Sequence, residues 1–599
     1  MLIAVVPQPD GSARLRRLDD TGSPAGPEWT VRDLADAARD SGDARWLWPA
    51  TAEVYPGLLR RGLRVERCHD LELTEALLLG YSGRWGEPRS LAAGWARLTG
   101  APVPADPPAR QPTPPGDRQG ALFETGPFEG GLFEAGPAGG TDPLTALIEV
   151  YRDQQARLAA IAGRAPEAAR RLRLLVAAES AGALIAAEMG HHGLPWRVDV
   201  HRDLLVELLG EPSPVGPPRR LVELSAGIAA AFGGQPLHPE SPAEMLRAFA
   251  RAGISLPSTR AWVLRGVDHP AVPLLLEYKE LHRIWTAHGW SWCQQWVTGG
   301  RFHPEYVPGG VVSGRWATRG GGALQIPKVV RRAVRADPGW TFVVADAGQL
   351  EPRILAAVSG DTRMSRAAGA GDMYAALATE AFGGDRAKAK VALLGAMYGQ
   401  TGGQAVPALA TLRGSYPVAL SYVEDAARTG EAGGLVRSWL GRTCPPPSVN
   451  WAAWQPSGGR TPAGAGSASV AGEGSDGTFG EAPPRAARGS AGAAARARGR
   501  FTRNFVIQAT AAEWAVSLLA LLRGMLPGGG TGGLAGAGDA ELVFFQHDEV
   551  MVHCPVEQAP AVAAAVEQAG DQARRLLFGA TPVRFPLHLS IVDCYADAK

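Results

Sequence analysis

The segment from Thr341 to Val358 constrains this chain more than any other. An apolar run, Thr341 to Val344, has the composition of a buried strand and leads to a carboxylate, Asp346. A short polar turn follows, and Pro352-Arg353-Ile354-Leu355-Ala356-Ala357-Val358 then places apolar residues at helical spacing until Ser359-Gly360-Asp361 stops it. Pro352 suits the first turn of a helix, where its missing N–H removes no bond. A strand that delivers one Asp to a sheet edge, with Gln349, Glu351 and Arg353 just after it, is a candidate metal and phosphate site. Alone, the same pattern also describes a simple helix cap.

Two further segments bear on that choice. Arg386 to Gly399 reads as a helix on which Arg386, Lys390 and Leu394 share one face, continued by Met397 and Tyr398. Ala387, Ala389, Ala392 and Ala396 leave the other side small enough for close packing. Two cations a turn apart, then an apolar step and a phenol, suit a triphosphate at one end and a base at the other; a solvated basic face is the plainer alternative. Downstream, Glu541 to Phe545 and Val550 to His553 read as strands around a tight turn bearing His547, Asp548 and Glu549. Two acids at a hairpin tip are costly to bury unless a cation or a phosphate network is present.

With 599 residues the chain exceeds one core, and two to four domains are expected. The formal net charge of +1 excludes a strongly basic chromatin-like protein but not local basic patches, such as Arg315 to Arg335. Five scattered cysteines without a CxxC pair give neither a disulfide framework nor a zinc cluster, which fits a reducing cytoplasm. The N-terminus lacks the pattern of a signal peptide, and no apolar run reads as long enough to span a bilayer. Residues 104–142 and 446–497 are Pro-, Gly-, Ala- and Ser-rich inserts expected to be flexible, the first with a Leu-Phe-Glu near-repeat. The tryptophans at 285, 290, 292 and 296 are expected in a core.

Taken together, Asp346 to Arg353, Arg386 to Gly399 and His547 to Glu549 resemble, in order, three motifs of family A DNA polymerases, in particular the large fragment of bacterial DNA polymerase I. Ser313-Gly314-Arg315, Leu324-Gln325-Ile326-Pro327, Tyr416-Pro417, Gly441-Arg442 and Arg500-x3-Asn504-x3-Gln508 extend the resemblance over most of the chain after Leu174. The resemblance implies a multidomain α/β and α+β chain. A ribonuclease-H-like 3′–5′ exonuclease-type domain (1–173) would precede a right-hand polymerase domain: a helical thumb (174–300), palm (301–365 and 498–599) and fingers (366–445). No 5′-nuclease domain is expected before it.

By the same resemblance the activity would be template-directed DNA synthesis in replication or repair, on primer-template DNA with deoxynucleoside triphosphates. The protein would be a cytoplasmic, nucleoid-associated monomer with no membrane partner. Asp346, Asp548 and the Ala347 carbonyl would hold two Mg2+ ions, with Mn2+ as a substitute. Arg386 and Lys390 would grip the triphosphate, Lys390 acting as general acid, with Gln349, Leu394 and Tyr398 also at the nucleotide. Glu351 would be the steric gate against a ribose 2′-hydroxyl. Glu549 is expected in the catalytic group, and Arg315, Gln325, Arg353, Arg500, Asn504, Gln508 and His547 at the primer terminus and minor groove.

The departures are specific. Ala347 stands where the family has Tyr, Leu394 where it has an aromatic, and Tyr374 where it has a phosphate-binding His. In the N-terminal domain Val5-Val6-Pro7-Gln8 replaces the Asp-x-Glu of an exonuclease, and Val54 or Tyr55 replaces a third acid. Glu53, Asp70 and Asp153 do not rebuild the cluster, so a structural remnant without proofreading is expected. A single-subunit RNA polymerase and a non-catalytic primer-template binder are the rival readings; Glu351 argues against the first, and Asp346, Asp548, Arg386 and Lys390 against the second.

Overall fold

A four-stranded antiparallel sheet carries the segment around Asp346 at its centre. Its strand order is Glu541–Gln546, Glu549–Pro555, Trp340–Ala347, Leu587–Val592. The computed structural model describes residues 1–19, 21–108, 142–399, 405–446, 491–527 and 538–598. Nearly all of both inserts, with the Leu-Phe-Glu near-repeat, and most of the Gly-rich connector after Leu526 lie outside the described residues.

Side chains alternate across the sheet and divide it between two cores. Val343, Ala345 and Ala347 pack into one core with Val550 and Val552, while Phe342 and Val344 pack into the other with Met551. Being covered on both faces explains why Thr341 to Ala345 reads as an unbroken apolar run. The first core is completed by Leu350–Ser359, Arg386–Tyr398 and the long helix Ala491–Met525. The second is completed by helices between Val198 and His288, including Arg219–Ala231, Pro242–Arg251 and Ala271–His288. Of the four clustered tryptophans only Trp292 is fully buried, against Trp196 and Phe302; the other three are half-buried around it.

The N-terminal domain is a five-stranded sheet in the order Pro24–Val31, Ala13–Leu18, Leu2–Pro7, Arg45–Trp48, Arg67–Asp70. The first three strands are antiparallel, and the last two run parallel to Leu2–Pro7. Helix Pro166–His192 runs straight across the expected domain boundary at residue 173. Its buried residues pack into the first core, and Leu184 reaches the core of the N-terminal sheet, so the helix joins the two rather than starting a separate helical unit at residue 174.

One expectation is corrected here. Residues Ala494–Met525 are long and apolar enough to cross a membrane, yet 78% of the apolar window is buried inside the protein. That hydrophobicity serves the core, where Trp514, Leu519 and Leu522 have no exposed surface.

Candidate active site

The sheet register brings the two candidate aspartates to one end. Asp346 lies directly across from Glu549, and Asp548 occupies the two-residue turn that precedes Glu549. The Ala347 N–H donates to the Asp548 carbonyl at 3.1 Å, which ties the strand end to the hairpin. His547 takes φ 57 in this turn, a conformation that usually selects Gly or Asn, and its side chain is exposed. Like charges directly opposite on a sheet are destabilising. The Glu549 carboxylate is buried and accepts a short hydrogen bond from the Tyr595 hydroxyl, whose ring is covered by the Arg331 guanidinium at 4.3 Å. Through that hydrogen bond Glu549 anchors the hairpin to the segment around Tyr595.

Among the described residues no three His, Cys, Asp or Glu side chains form a metal centre by themselves. The donor set is instead two carboxylates, Asp346 and Asp548, with the carbonyl of Ala347. Hard oxygens in that number suit Mg2+, which commonly takes one or two carboxylates and completes its shell with substrate phosphates and water.

Helix Leu350–Ser359 follows the strand directly and ends on Gly360 at φ 72. Gln349, at φ 57, begins it and bridges to the start of helix Met373–Ala381: its Nε2 donates to Asp372 at 2.8 Å, and its Oε1 accepts from the Met373 amide at 2.8 Å. Asp372 also caps helix Met373–Ala381 and accepts from Arg386 Nε at 2.8 Å. Burial would raise the Asp372 carboxyl, but hydrogen bonds from Gln349, Arg386 and the Ala375 amide hold it at about 2. Sequence reasoning passed over Asp372 because only folding shows what an isolated acid joins.

Glu351 has both carboxylate oxygens engaged. Arg315 donates to one and the Tyr398 hydroxyl to the other, each at 2.5 Å. Burial, then the charge of Glu351, pushes the Tyr398 hydroxyl above its usual value, and Gln508 hydrogen-bonds to it. Arg315, Glu351, Tyr398 and Gln508 thus meet from four segments.

Arg353 is placed differently from expectation. It has no exposed surface and donates to the carbonyls of Gly348, Ala368, Ala370, Gly371 and Arg584, and to Gln349 Oε1, at 2.6–3.4 Å. With its donors committed to main-chain carbonyls, it fastens loops around the site and does not reach DNA. This is the correction the structure makes most clearly.

Helix Arg386–Tyr398 is capped by Asp385, whose side chain accepts from the Lys388 amide, and ends at Gly399 with φ 70. A Cβ at Gly399 would lie 2.9 Å from Arg500 Cγ, so both conformation and contact require glycine there. Arg386 and Lys390 are exposed and Leu394 and Tyr398 half-buried on one face, while Ala389, Ala392 and Ala396 pack inward. Met397 was expected on the exposed stripe but is fully buried, because one position from Tyr398 turns it about 100° toward the core. Arg500, Asn504 and Gln508 follow at four-residue steps along Ala491–Met525, and Asn504 Oδ1 is buried without a hydrogen-bond partner. Gln325 is exposed at the end of the short 3-10 helix Ala323–Gln325, where Gln546 Nε2 donates to the Leu324 carbonyl at 2.6 Å.

The family model for DNA polymerase family A matches residues 219–591, more than half of the chain. DNA polymerase I of Chloroflexus aurantiacus is 30% identical over 169 residues, covering 24% of this chain and 18% of that protein. The thermostable DNA polymerase I of Thermus thermophilus is 28% identical over 222 residues, covering 32% of this chain and 27% of that protein. The matched stretches therefore span at most about a quarter of these relatives' own length. The fold is similar to a solved structure of the POL domain of Pol1 from M. smegmatis in complex with DNA primer-template and dNTP. That likeness has a TM-score of 0.66 at 15% identity and covers 100% of this chain and 95% of the other.

Proposed function

The chain belongs to DNA polymerase family A, and on that premise we propose that it extends the 3′ end of a DNA primer along a template using deoxynucleoside triphosphates. The observation that carries this reading is the meeting of Asp346 and the Asp548 hairpin at one sheet end, tied by the Ala347–Asp548 hydrogen bond. Asp346, Asp548 and the Ala347 carbonyl would hold two Mg2+ ions, or Mn2+ in their place. When bound, the ions supply charge neutralisation for phosphoryl transfer.

Lys390 is exposed and makes no ion pair or hydrogen bond among the described residues, which leaves its ammonium for the triphosphate and for protonating the pyrophosphate. Arg386 pairs with Asp372 in an exposed ion pair, weak enough to be exchanged for phosphate oxygens. Glu351 is the gate against a 2′-hydroxyl, with Leu394 and Tyr398 at the nucleotide. Arg315, Gln325, Arg500, Asn504, Gln508 and His547 are assigned to primer-template; Arg500, Asn504 and Gln508 follow one another at four-residue steps along one helix. Lys390→Ala should lower kcat/KM for a deoxynucleotide by about 100-fold or more, read by single-nucleotide incorporation.

We further infer that the N-terminal domain is ribonuclease-H-like and lacks 3′–5′ exonuclease activity. Three antiparallel strands followed by two parallel ones support the first statement. For the second, Val5, Val6, Val54 and Tyr55 are apolar or aromatic and buried where acids would be needed. Asp70 is committed to capping, accepting from the Thr51 amide at 2.7 Å and the Leu73 amide at 2.9 Å, and Asp153 pairs with Arg157. A cytoplasmic, nucleoid-associated monomer is part of the same proposal.

The test is a labelled primer on a template with Mg2+, offered deoxy- or ribonucleotides and then none. Extension with deoxynucleotides and an unshortened primer without nucleotides are expected. Preferential ribonucleotide incorporation would favour the RNA-polymerase reading. Metal-dependent shortening, lost in Asp153→Asn, would restore an exonuclease.

A further inference from the structure

Asp372 divides its two carboxylate oxygens between two tasks. Oδ1 accepts from the Ala375 amide at 3.1 Å, which caps helix Met373–Ala381, and from Gln349 Nε2 at 2.8 Å. Oδ2 accepts from Arg386 Nε at 2.8 Å and from no other described residue. A capping aspartate needs only the first oxygen. An ion pair whose side chains are 54% and 40% exposed contributes little to stability. The Arg386 bond therefore calls for a reason other than holding the fold.

Both ends of this link are fixed. Gln349 stands three residues after Asp346; its amide nitrogen goes to Asp372, and its amide oxygen accepts from the Met373 amide and Arg353. At the other end, Arg386 opens helix Arg386–Tyr398. Its guanidinium lies over the Tyr374 ring, 5.6 Å from the centroid and within reach of a cation–π contact. The bond to Asp372 uses Nε alone, and Nη1 and Nη2 donate to no described residue. A phosphate can meet those two groups while the guanidinium is still aimed, ahead of any exchange at Nε. An arginine oriented in advance loses less freedom on binding than a loose one.

We propose that Asp372 is the positioning residue for Arg386: it aims the guanidinium at the triphosphate and, through Gln349, ties that grip to the strand end that carries Asp346. This rests on the polymerase reading above, in which Arg386 meets the phosphates. Asp372 itself touches no substrate. Its loss should weaken nucleotide binding and leave the chemical step nearly intact, because Asp346, Asp548 and Lys390 are untouched.

Asp372→Asn separates the two tasks. Asparagine caps a helix as well as aspartate does and can keep its oxygen toward the Ala375 amide, while its NH2 then faces Arg386, donor against donor. Single-nucleotide insertion by the full chain should show KM for the deoxynucleotide raised about 10-fold and kcat within about threefold of wild type. KM does not depend on how much of a preparation is folded. In an Arg386→Ala chain nothing remains to be aimed, so adding Asp372→Asn should change kcat/KM by less than about twofold. Primer-template affinity, read by anisotropy of a labelled duplex, should not move. An unchanged KM, or one that falls because Asp372 competes with the phosphates, overturns the proposal. So does an equal loss with and without Arg386, which would place the action of Asp372 elsewhere. If Arg386→Ala alone leaves KM unchanged, Arg386 does not meet the phosphates and the proposal fails while the polymerase reading stands. A wild-type chain that inserts no deoxynucleotide overturns that reading, and this proposal with it.

Discussion

Asp548→Asn is expected to lower primer extension by about 1000-fold or more while leaving primer-template binding within a few-fold of wild type. The substitution keeps the side chain's size, removes its charge and replaces one acceptor oxygen by an NH2 donor. Asp548 lies in a solvent-accessible turn, and the hydrogen bond that fixes that turn uses its main-chain carbonyl. The fold around it should therefore persist, and the loss should appear in kcat. A decrease smaller than about tenfold would mean that the carboxylate carries no part of the charge neutralisation and would remove the two-aspartate site.

The largest stability effect is expected far from that site, where the N-terminal domain is joined to the long helix. Glu188, 4% exposed, accepts from the Tyr55 hydroxyl at 2.6 Å, from Arg64 Nε at 3.2 Å and from Arg523 Nη2 at 2.6 Å. Arg523, 6% exposed, also donates to the carbonyls of Val65 and Glu66. Removing one partner of such a buried pair leaves an uncompensated charge, so Arg523→Met should cost about 3–5 kcal/mol. Replacing Glu188 and Arg523 together by apolar residues should recover part of it. Denaturant unfolding followed by tryptophan fluorescence reads this, and a loss below about 1 kcal/mol would contradict a joined domain.

The same cluster predicts a pH dependence. Burial alone would raise the Glu188 carboxyl, but Arg523, Arg64 and Tyr55 hold it at about 2, below the ordinary 4.5. Its contribution is therefore complete above about pH 4.5 and is lost as pH falls toward 2. Acid unfolding of the junction should move to higher pH in Arg523→Met.

What was legible in the sequence was local. The strand before Asp346, the helix Arg386–Tyr398 and the His547-Asp548 hairpin all announce themselves by periodicity and turn position. Strands Ala13–Leu18 and Pro24–Val31 did not, because Arg16-Arg17 breaks the alternation of the first and the second contains Pro and Gly on a partly exposed edge. The bonds that organise the site join residues far apart in the chain: Glu351 to Arg315 and Tyr398, and Glu549 to Tyr595. An arginine's residue type likewise says nothing about whether its donors face phosphate or carbonyls. That is why Arg353 was expected on DNA and is found holding loops together.

The most direct measurement is incorporation of a single labelled deoxynucleotide by the wild-type chain opposite each of the four template bases, with Mg2+ present. The account predicts that the primer grows by one residue and that the template base decides which nucleotide enters. A chain that binds primer-template tightly yet adds nothing, or that adds the same nucleotide whatever the template, would contradict it.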